Sequence, residues 1–532
     1  MGSYKQSFIK GAAILTIAGI LSKILGAIYR IPLGRIMSSE GMAYYQIAYD
    51  IYILALTISA YSIPVAISKL VSEKIELGRR DEAHKVFKVA LALIGFLSLM
   101  VSALLFFNAR SFAIILKNPG AYLAVLCVAP AIFAVSLSGA FRGYFQGMQN
   151  MIPSGISQVT EQIARVVSGF VLAIIFLPLG YEAAAGGAVF GTTIGGLTSF
   201  LTLICIYRKK RSEIKAGISA GLLKMESSLS IAKRIIVFSL PITIGGSIMP
   251  MMTVVDTYII MDRLQSAGFS LETANSLLGQ LKGMAGAFIN LPQVVTIALA
   301  ASLVPAISES IARNDFGSAA RKSELAIRIS LIIGLPAAFG LFILADPIMK
   351  YMYPKESATL GMVLRYLSMA VIFLTLVQTM TGILQGMGKE RVPVINLVIG
   401  AFVKIAVSYI LTSVPFINIR GAAIGTVAGY AVSAILNLSA IIKYQKSKIR
   451  IASMVVKPAA ATGAMTAAAY LSYRLLFEVF GRNSAATIIS IAFAALVYMV
   501  VLLLIKGIAV EELEMAPGGK RLSKVLRKKG LL

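Results

Sequence analysis

Fourteen apolar stretches follow one another along the chain, each long enough for the roughly 20-residue helix that crosses a bilayer core. They run over about 11–35, 43–68, 86–107, 121–141, 154–178, 183–207, 235–261, 279–304, 324–345, 360–384, 393–414, 420–442, 454–477 and 484–506. Charged residues gather in the short connections between them. The longest connection, 208–234, is basic and about one helix long, so no folded soluble domain fits between spans. The first stretch is too long for a cleavable signal peptide: Lys23 and Arg30 interrupt it and Ile31-Pro32 continues it. The pattern predicts an all-α polytopic membrane protein.

Composition agrees. Of 532 residues, 58% are hydrophobic and 14% charged, and mean hydropathy is +0.84. A soluble chain of this length would split into domains with polar surfaces, and the polar residues to cover them are missing. The net charge of +27 would by itself suggest nucleic acid; its placement points to membrane topology. With the N-terminus in the cytoplasm, the inside segments hold 34 Lys and Arg and the outside segments 9. This is the positive-inside bias expected of a plasma-membrane protein with both termini cytoplasmic. The basic tail 511–532 is read either as lying on anionic lipid or as a solvated tail. Cys127 and Cys205 sit far apart in apolar runs and His84 stands alone, so no disulfide framework, metal site or cofactor is expected.

The chain repeats itself. Gly143, Gln146, Gly147 and Met148 recur as Gly382, Gln385, Gly386 and Met387, 239 positions on; Ala66-Ile67-Ser68 recurs as Ala306-Ile307-Ser308; GAVFGTTIG (187–195) recurs as GAAIGTVAG (421–429). Each half holds six spans, an even number, so the halves are parallel repeats. The expected architecture is two six-helix lobes, 1–215 and 225–445, around a central cavity, with spans 13 and 14 (450–510) added outside the repeat. Such lobes suit alternating access. The glycine triplets 187/191/195 and 421/425/429 read as helix-packing faces. They lack the strand and the Lys-Ser/Thr of a phosphate loop, and no Walker motif occurs. Pro64, Pro241, Pro250, Pro292 and Pro336 fall inside spans and bend them.

Charged residues inside spans are costly, roughly 2.5–3.5 kcal/mol at a helix centre, and mark cavities or partners. The basic ones are Lys23, Arg30, Arg165, Lys282, Arg365 and Lys404; the acidic ones are Asp50, Glu161 and Asp256. Arg328 is placed to snorkel; Arg365, near the outer end of span 10, either snorkels or faces a cavity or partner. Glu161 and Arg165, four apart, form either a structural pair or part of a site. Lys404 occupies Arg165's repeat position with Gly400 four residues before it, which suits an anion site. Lys23 and Arg30 share a face of span 1, facing the cavity or snorkelling. Asp50 and Asp256 serve as counter-ions to these bases or as cation-coupling sites. The candidate cationic cavity is therefore Lys23, Arg30, Arg165, Lys282 and Lys404.

FRGYFQGMQNMIPSGISQVTEQIARV (141–166) resembles the signature of the stage V sporulation protein B and Gram-positive lipid II flippase group, within the multidrug/oligosaccharidyl-lipid/polysaccharide exporter superfamily. GILSKILGAIYRIPLG in span 1, IPVAISKLVSE and VDTYI (255–259) are similar to it too. The resemblance covers the whole chain. It implies fourteen helices in two lobes, transport of undecaprenyl-diphosphate-linked sugars from inner to outer leaflet, and a lipid-tail groove at the last two helices. The family's span-1 basic residue falls on Lys23, after Ser22. The span-8 arginine of Gram-negative members falls on Ala287, with Lys282 nearby as a substitute, and their early span-2 acid falls near Tyr44. The expected function is a lipid II flippase acting as a monomer, or a flippase for another lipid-linked oligosaccharide. A multidrug exporter would want an acid-rich cavity, and six bases against three acids oppose that. A membrane glycosyltransferase or phosphatase would need carboxylate or histidine clusters in sizeable loops. No ATP drives the step directly; a membrane potential would favour export of the anion, and any coupling ion is left open.

Overall fold

The computed structural model describes residues 8–210, 226–445 and 451–507. The basic tail 511–532 and the lobe boundary near 215–225 lie outside the described residues. Within them the chain is helical, with no strand. The helices are α1 (Phe8–Ala60), α2 (Ile63–Glu76), α3 (Arg80–Phe107), α4 (Ala109–Ile115), α5 (Tyr122–Gly147), α6 (Ile152–Phe176), α7 (Tyr181–Lys209), α8 (Ser228–Ser266) and α9 (Leu271–Leu278). After a π-helical segment (Gly279–Ala285) come α10 (Gly286–Asn290), α11 (Gln293–Ala312), α12 (Phe316–Ile343), α13 (Ala345–Met352), α14 (Ser357–Ser368) and α15 (Ala370–Gly386). The last are α16 (Arg391–Thr412), α17 (Ile419–Gln445), α18 (Ile451–Phe480) and α19 (Asn483–Leu504). Among the described residues twelve helical stretches are long and apolar enough to cross a membrane. The first contains two expected spans: α1 is interrupted at Ser38, whose φ of 55° and ψ of −175° leave the helical region. Large apolar side chains such as Phe402, Ile410 and Leu496 stand exposed on helix surfaces, which suits a hydrocarbon solvent.

Two spans differ from expectation. Span 2 is broken at Tyr61–Ser62, with Pro64 in the first turn of α2. Span 8 is not one helix over 279–304: it ends at Asn290, turns through Leu291–Pro292 and restarts as α11. Both breaks fall at prolines inside windows that stay apolar on average, so the missing N–H, more than hydropathy, marks them. The short helices α4 and α13 occupy matching places in the two repeats, between spans 3 and 4 and between spans 9 and 10.

The chain divides into two compact units, residues 1–265 with 269–283, and 266–268 with 284–532. In the first, α3, α5 and α7 close on an aromatic core in which Phe87 stacks on Tyr144 at 4.3 Å and meets Phe141 edge-on at 5.0 Å. At one end of this unit Lys74 reaches Glu82 at 2.6 Å and Glu226 at 3.3 Å, while Arg234 reaches Glu226 at 3.2 Å and Glu73 at 3.3 Å. The chain entering α8 is thereby tied to α2 and α3. In the second unit α11, α12, α15 and α17 share an apolar core with Met454 of α18.

The glycine faces do what their spacing predicts. A Cβ on Gly191 would lie 2.6 Å from Gly169 Cα, and one on Gly195 would lie 2.7 Å from the Glu161 carbonyl, so α7 rides directly on α6. A Cβ on Gly421 would lie 2.6 Å from the Leu411 carbonyl carbon, and one on Gly429 would lie 2.7 Å from the Gly400 carbonyl, giving α17 on α16 the same relation. Arg165 and Lys404 stand at matching points of these two seams: an added Cβ would meet the Arg165 side chain at Gly195 and the Lys404 side chain at Gly429.

Candidate functional site

In the first unit the buried charges sort into three groups. The first is a closed pair. Arg142 lies inside α5, not in the connection where the hydropathy pattern placed it. Its Nη2 donates to Glu161 Oε2 at 2.6 Å and to Ser199 Oγ at 2.8 Å, and its Nε donates to Ser157 Oγ at 2.9 Å. Glu161 is thus the partner of Arg142 on the neighbouring helix, which corrects the expected i,i+4 pairing with Arg165. Both members are only 16% exposed. Their counterparts at the 239-residue offset are Thr381 and Gly400, so the second repeat lacks both charges together.

The second group is an ionic cluster. Asp50 on α1 and Asp256 on α8 are buried, 5% and 2% exposed. Lys282, on the π-helical segment, lies 3.3 Å from Asp50 Oδ2 and 3.2 Å from Asp256 Oδ2. The ammonium also donates to Thr257 Oγ1 at 2.6 Å and to the Thr253 carbonyl at 3.3 Å. The Thr257 hydroxyl donates to Asp50 Oδ2 at 2.8 Å, and Gln46 Nε2 donates to Asp50 Oδ1 at 2.7 Å. Packing explains how the lysine gets there. Gly279 and Gly283 face α1: an added Cβ would lie 2.7 Å from the Ser39 carbonyl carbon and 2.8 Å from Met42 Cβ, respectively. Only glycine allows that approach. The wider turn of a π-helix, a geometry frequent at functional sites, carries Lys282 between the two carboxylates.

The third group is open. Arg30 on α1 and Arg165 on α6 each place the guanidinium carbon 5.6 Å from the centroid of the Tyr49 ring. Tyr49 stacks on Tyr45 at 6.0 Å and meets Tyr52 at 5.9 Å, a platform built by spacings of four and three along α1. Both arginines and Tyr49 are half-buried. Among the described residues neither guanidinium has a carboxylate within ion-pair range, and Arg165 Nε is buried without a hydrogen-bond partner. Two like charges held on one ring in partly dry surroundings repel each other, and a bridging anion relieves that repulsion. A diphosphate, with oxygens on two linked phosphorus atoms, offers acceptors to both.

The remaining candidates stand apart from these groups. Lys23 is exposed, and Ser22 beside it donates to the Gln158 carbonyl at 3.4 Å. Lys404 is half-buried in the second unit. In that unit Arg365 pairs with Asp346 and Arg328 donates to the Gly507 carbonyl, so each has a protein partner. Tyr49, Gln46, Thr257 and Arg142 were not among the sequence candidates. The run AYYQIAYDIYIL (43–54) carried the signal for Tyr49, an aromatic stripe at helical spacing beside an intramembrane aspartate. The second unit also holds a cavity of about 560 Å³, lined by apolar groups such as Phe288, Pro336, Met465, Ile488 and Met499. Residues of α18 and α19 form one wall. Of the lining residues that carry a hydroxyl, Tyr498 donates to the Ile332 carbonyl at 2.8 Å and Thr487 to the Asn483 carbonyl at 2.7 Å. No group of three or more His, Cys, Asp or Glu able to hold a metal occurs among the described residues.

Residues 8–311 match the polysaccharide biosynthesis protein family, and residues 282–410 match the MatE family. The chain is 30% identical over 517 residues to stage V sporulation protein B of Bacillus subtilis (strain 168), covering 96% of this chain and 98% of that one. It is 27% identical to the lipid II flippase MurJ of the same strain, over 80% and 81% of the two chains. Its fold is that of a solved lipid II flippase MurJ in an inward closed conformation, with a TM-score of 0.68 at 18% identity over 92% of this chain and 98% of that one. The chain belongs to the polysaccharide biosynthesis protein family and is a multi-span membrane transporter of the multidrug/oligosaccharidyl-lipid/polysaccharide exporter superfamily, in its stage V sporulation protein B-like flippase group.

Proposed function

We propose that this protein carries an undecaprenyl-diphosphate-linked cell-wall precursor, lipid II foremost, from the inner to the outer leaflet of the plasma membrane by alternating access. The observation that carries the reading is the Arg30–Tyr49–Arg165 group: two guanidiniums on one ring, with no carboxylate among the described residues pairing either. Arg30 and Arg165 bind the diphosphate, and Lys404 takes the corresponding role in the second repeat. Lys23 is the entry contact at the exposed face of span 1. The apolar cavity beside α18 and α19 takes part of the polyprenyl tail. The names of the relatives, a sporulation protein and lipid II flippases, support the substrate class. They leave a second lipid-linked oligosaccharide as the alternative headgroup. A cationic drug fits poorly, because Asp50 and Asp256 lie against Lys282 and Glu161 lies against Arg142.

The driving force follows from the substrate's charge. Moving one charge through 100 mV is worth about 2.3 kcal/mol, so outward transfer of a diphosphate with two charges gains roughly 4–5 kcal/mol from a negative interior. Both termini are cytoplasmic in this reading, the chain acts as a monomer, and the basic tail lies on anionic lipid. The test is a leaflet-protection assay for lipid II in cells depleted of their own flippase and expressing this chain. Restored outer-leaflet lipid II that vanishes when valinomycin and potassium collapse the potential is expected. No restoration would move the substrate to another polyprenyl-linked glycan. Flipping that stops only when a pH or sodium gradient is removed would overturn the potential-driven cycle.

A further inference from the structure

We propose that the Lys282 ammonium is a tethered cation filling a monovalent-cation site built by Asp50, Asp256, Thr257 and the Thr253 carbonyl, a site that opens to sodium once the Lys282 charge is removed. Four oxygens surround the nitrogen: Thr257 Oγ1 at 2.6 Å, Asp256 Oδ2 at 3.2 Å, Asp50 Oδ2 at 3.3 Å and the Thr253 carbonyl at 3.3 Å. Hydroxyl, carboxylate and main-chain carbonyl are the hard oxygen donors that alkali and alkaline-earth ions take. No imidazole or thiolate points to a transition metal.

Charge and burial reinforce the geometry. Two carboxylates against one ammonium leave a surplus of negative charge at residues 5% and 2% exposed. Removing one partner of such a cluster leaves uncompensated charge in a low-dielectric interior, a state costly enough to draw in a replacement cation. A spare ligand is already in place. Gln46, 8% exposed, donates its amide to Asp50 Oδ1 at 2.7 Å, while its Oε1 is buried with no hydrogen-bond partner. That oxygen belongs to the same short carboxamide and is an unused acceptor beside the cluster.

The lysine holds the place without being bound from solution. The close approach of Gly279 and Gly283 to α1 fixes the backbone that carries it. A fixed ammonium cannot leave down a gradient, so in the native protein this site carries no free ion through the cycle. That is the arrangement expected of a transporter driven by potential, although the cation site itself stands on its geometry whatever lipid is moved.

The test uses the purified full-length protein in detergent and radioactive sodium, with choline chloride holding ionic strength constant. The native protein is expected to bind no sodium that depends on Asp50. Lys282→Ala is expected to bind about one sodium per chain, to show a saturable sodium-specific rise in its unfolding temperature that choline does not reproduce, and to lose both when Asp50→Asn is added. Lys282→Gln, a shorter polar side chain without the charge, is the second variant, and each is prepared in sodium and in choline. Recovery of folded protein in sodium alone also supports the site. Absence of sodium binding in both folded variants, failure of both to fold in either salt, or Asp50-dependent sodium binding by the native protein would overturn it.

Discussion

Tyr49 and Asp50 are neighbours on α1, about 100° apart around the helix, and they anchor opposite solutions to the same problem. On the Tyr49 side, Arg30 and Arg165 share an aromatic ring and, among the described residues, have no carboxylate within ion-pair range. On the Asp50 side, Lys282 is held by two carboxylates, a hydroxyl and a carbonyl. Both sides carry intramembrane bases, and a count of charges treats them alike. The difference is whether protein atoms already use the positive charge. A base that is satisfied internally would have to break those bonds to hold a substrate. A base resting on a π face keeps its N–H groups for an anion.

The sharpest contrast to break is a third arrangement, the Arg142–Glu161 pair, which removes the carboxylate that would otherwise quench Arg165. Arg142→Met or Glu161→Gln alone leaves a buried charge unpaired, with an expected loss of about 3–5 kcal/mol in stability, read as a drop in unfolding temperature. The double replacement Arg142→Thr with Glu161→Gly copies the second repeat's residues and is expected to cost less than the sum of the singles. Strict additivity would separate the two residues. Next in size, Arg30→Gln or Arg165→Gln is expected to lose roughly 10–100-fold in complementation at matched expression, one charge-assisted contact each, with no loss of fold. Third, Gly195→Ala pushes α7 against the Glu161 carbonyl, for an expected cost of about 1–3 kcal/mol by overpacking. The smallest effect belongs to the ring. Tyr49→Leu keeps bulk and removes the π face, worth about 0.5–2 kcal/mol, whereas Tyr49→Phe is expected to transport as the native protein does. A large defect in Tyr49→Phe would give the hydroxyl, not the ring face, the main role.

The sequence made the spans, the repeat and the packing faces legible because each is written locally. Apolar windows are continuous, and glycine every fourth residue can only mark one helix face. Arg165 and Lys404 could be matched by offset alone, and they do sit at matching glycine seams. The pairing of charges was not legible. Glu161 has one base four residues along its own helix and another on α5, and the choice depends on tertiary distance. Arg142 lies close enough to the end of α5 to look like a connection. Lys282 reaches Asp50 and Asp256 only because a π-helical turn and two glycines bring its helix against α1, and neither is visible in hydropathy. The bend at Leu291–Pro292 was legible from Pro292 itself; that it ends one helix and starts another was not, because the mean hydropathy of the window stays high across Asn290 and Gln293.

The distinction between open and satisfied bases comes down to one comparison of affinities. Binding of undecaprenyl diphosphate to the purified protein is measured for the native chain, for Arg30→Gln with Arg165→Gln, and for Lys282→Gln. The double arginine variant is expected to bind about 100-fold or more weakly, and the lysine variant to bind within a few-fold of native. Native affinity in the arginine variant, or an equally large loss in Lys282→Gln, would contradict the assignment of the diphosphate to the Tyr49 side.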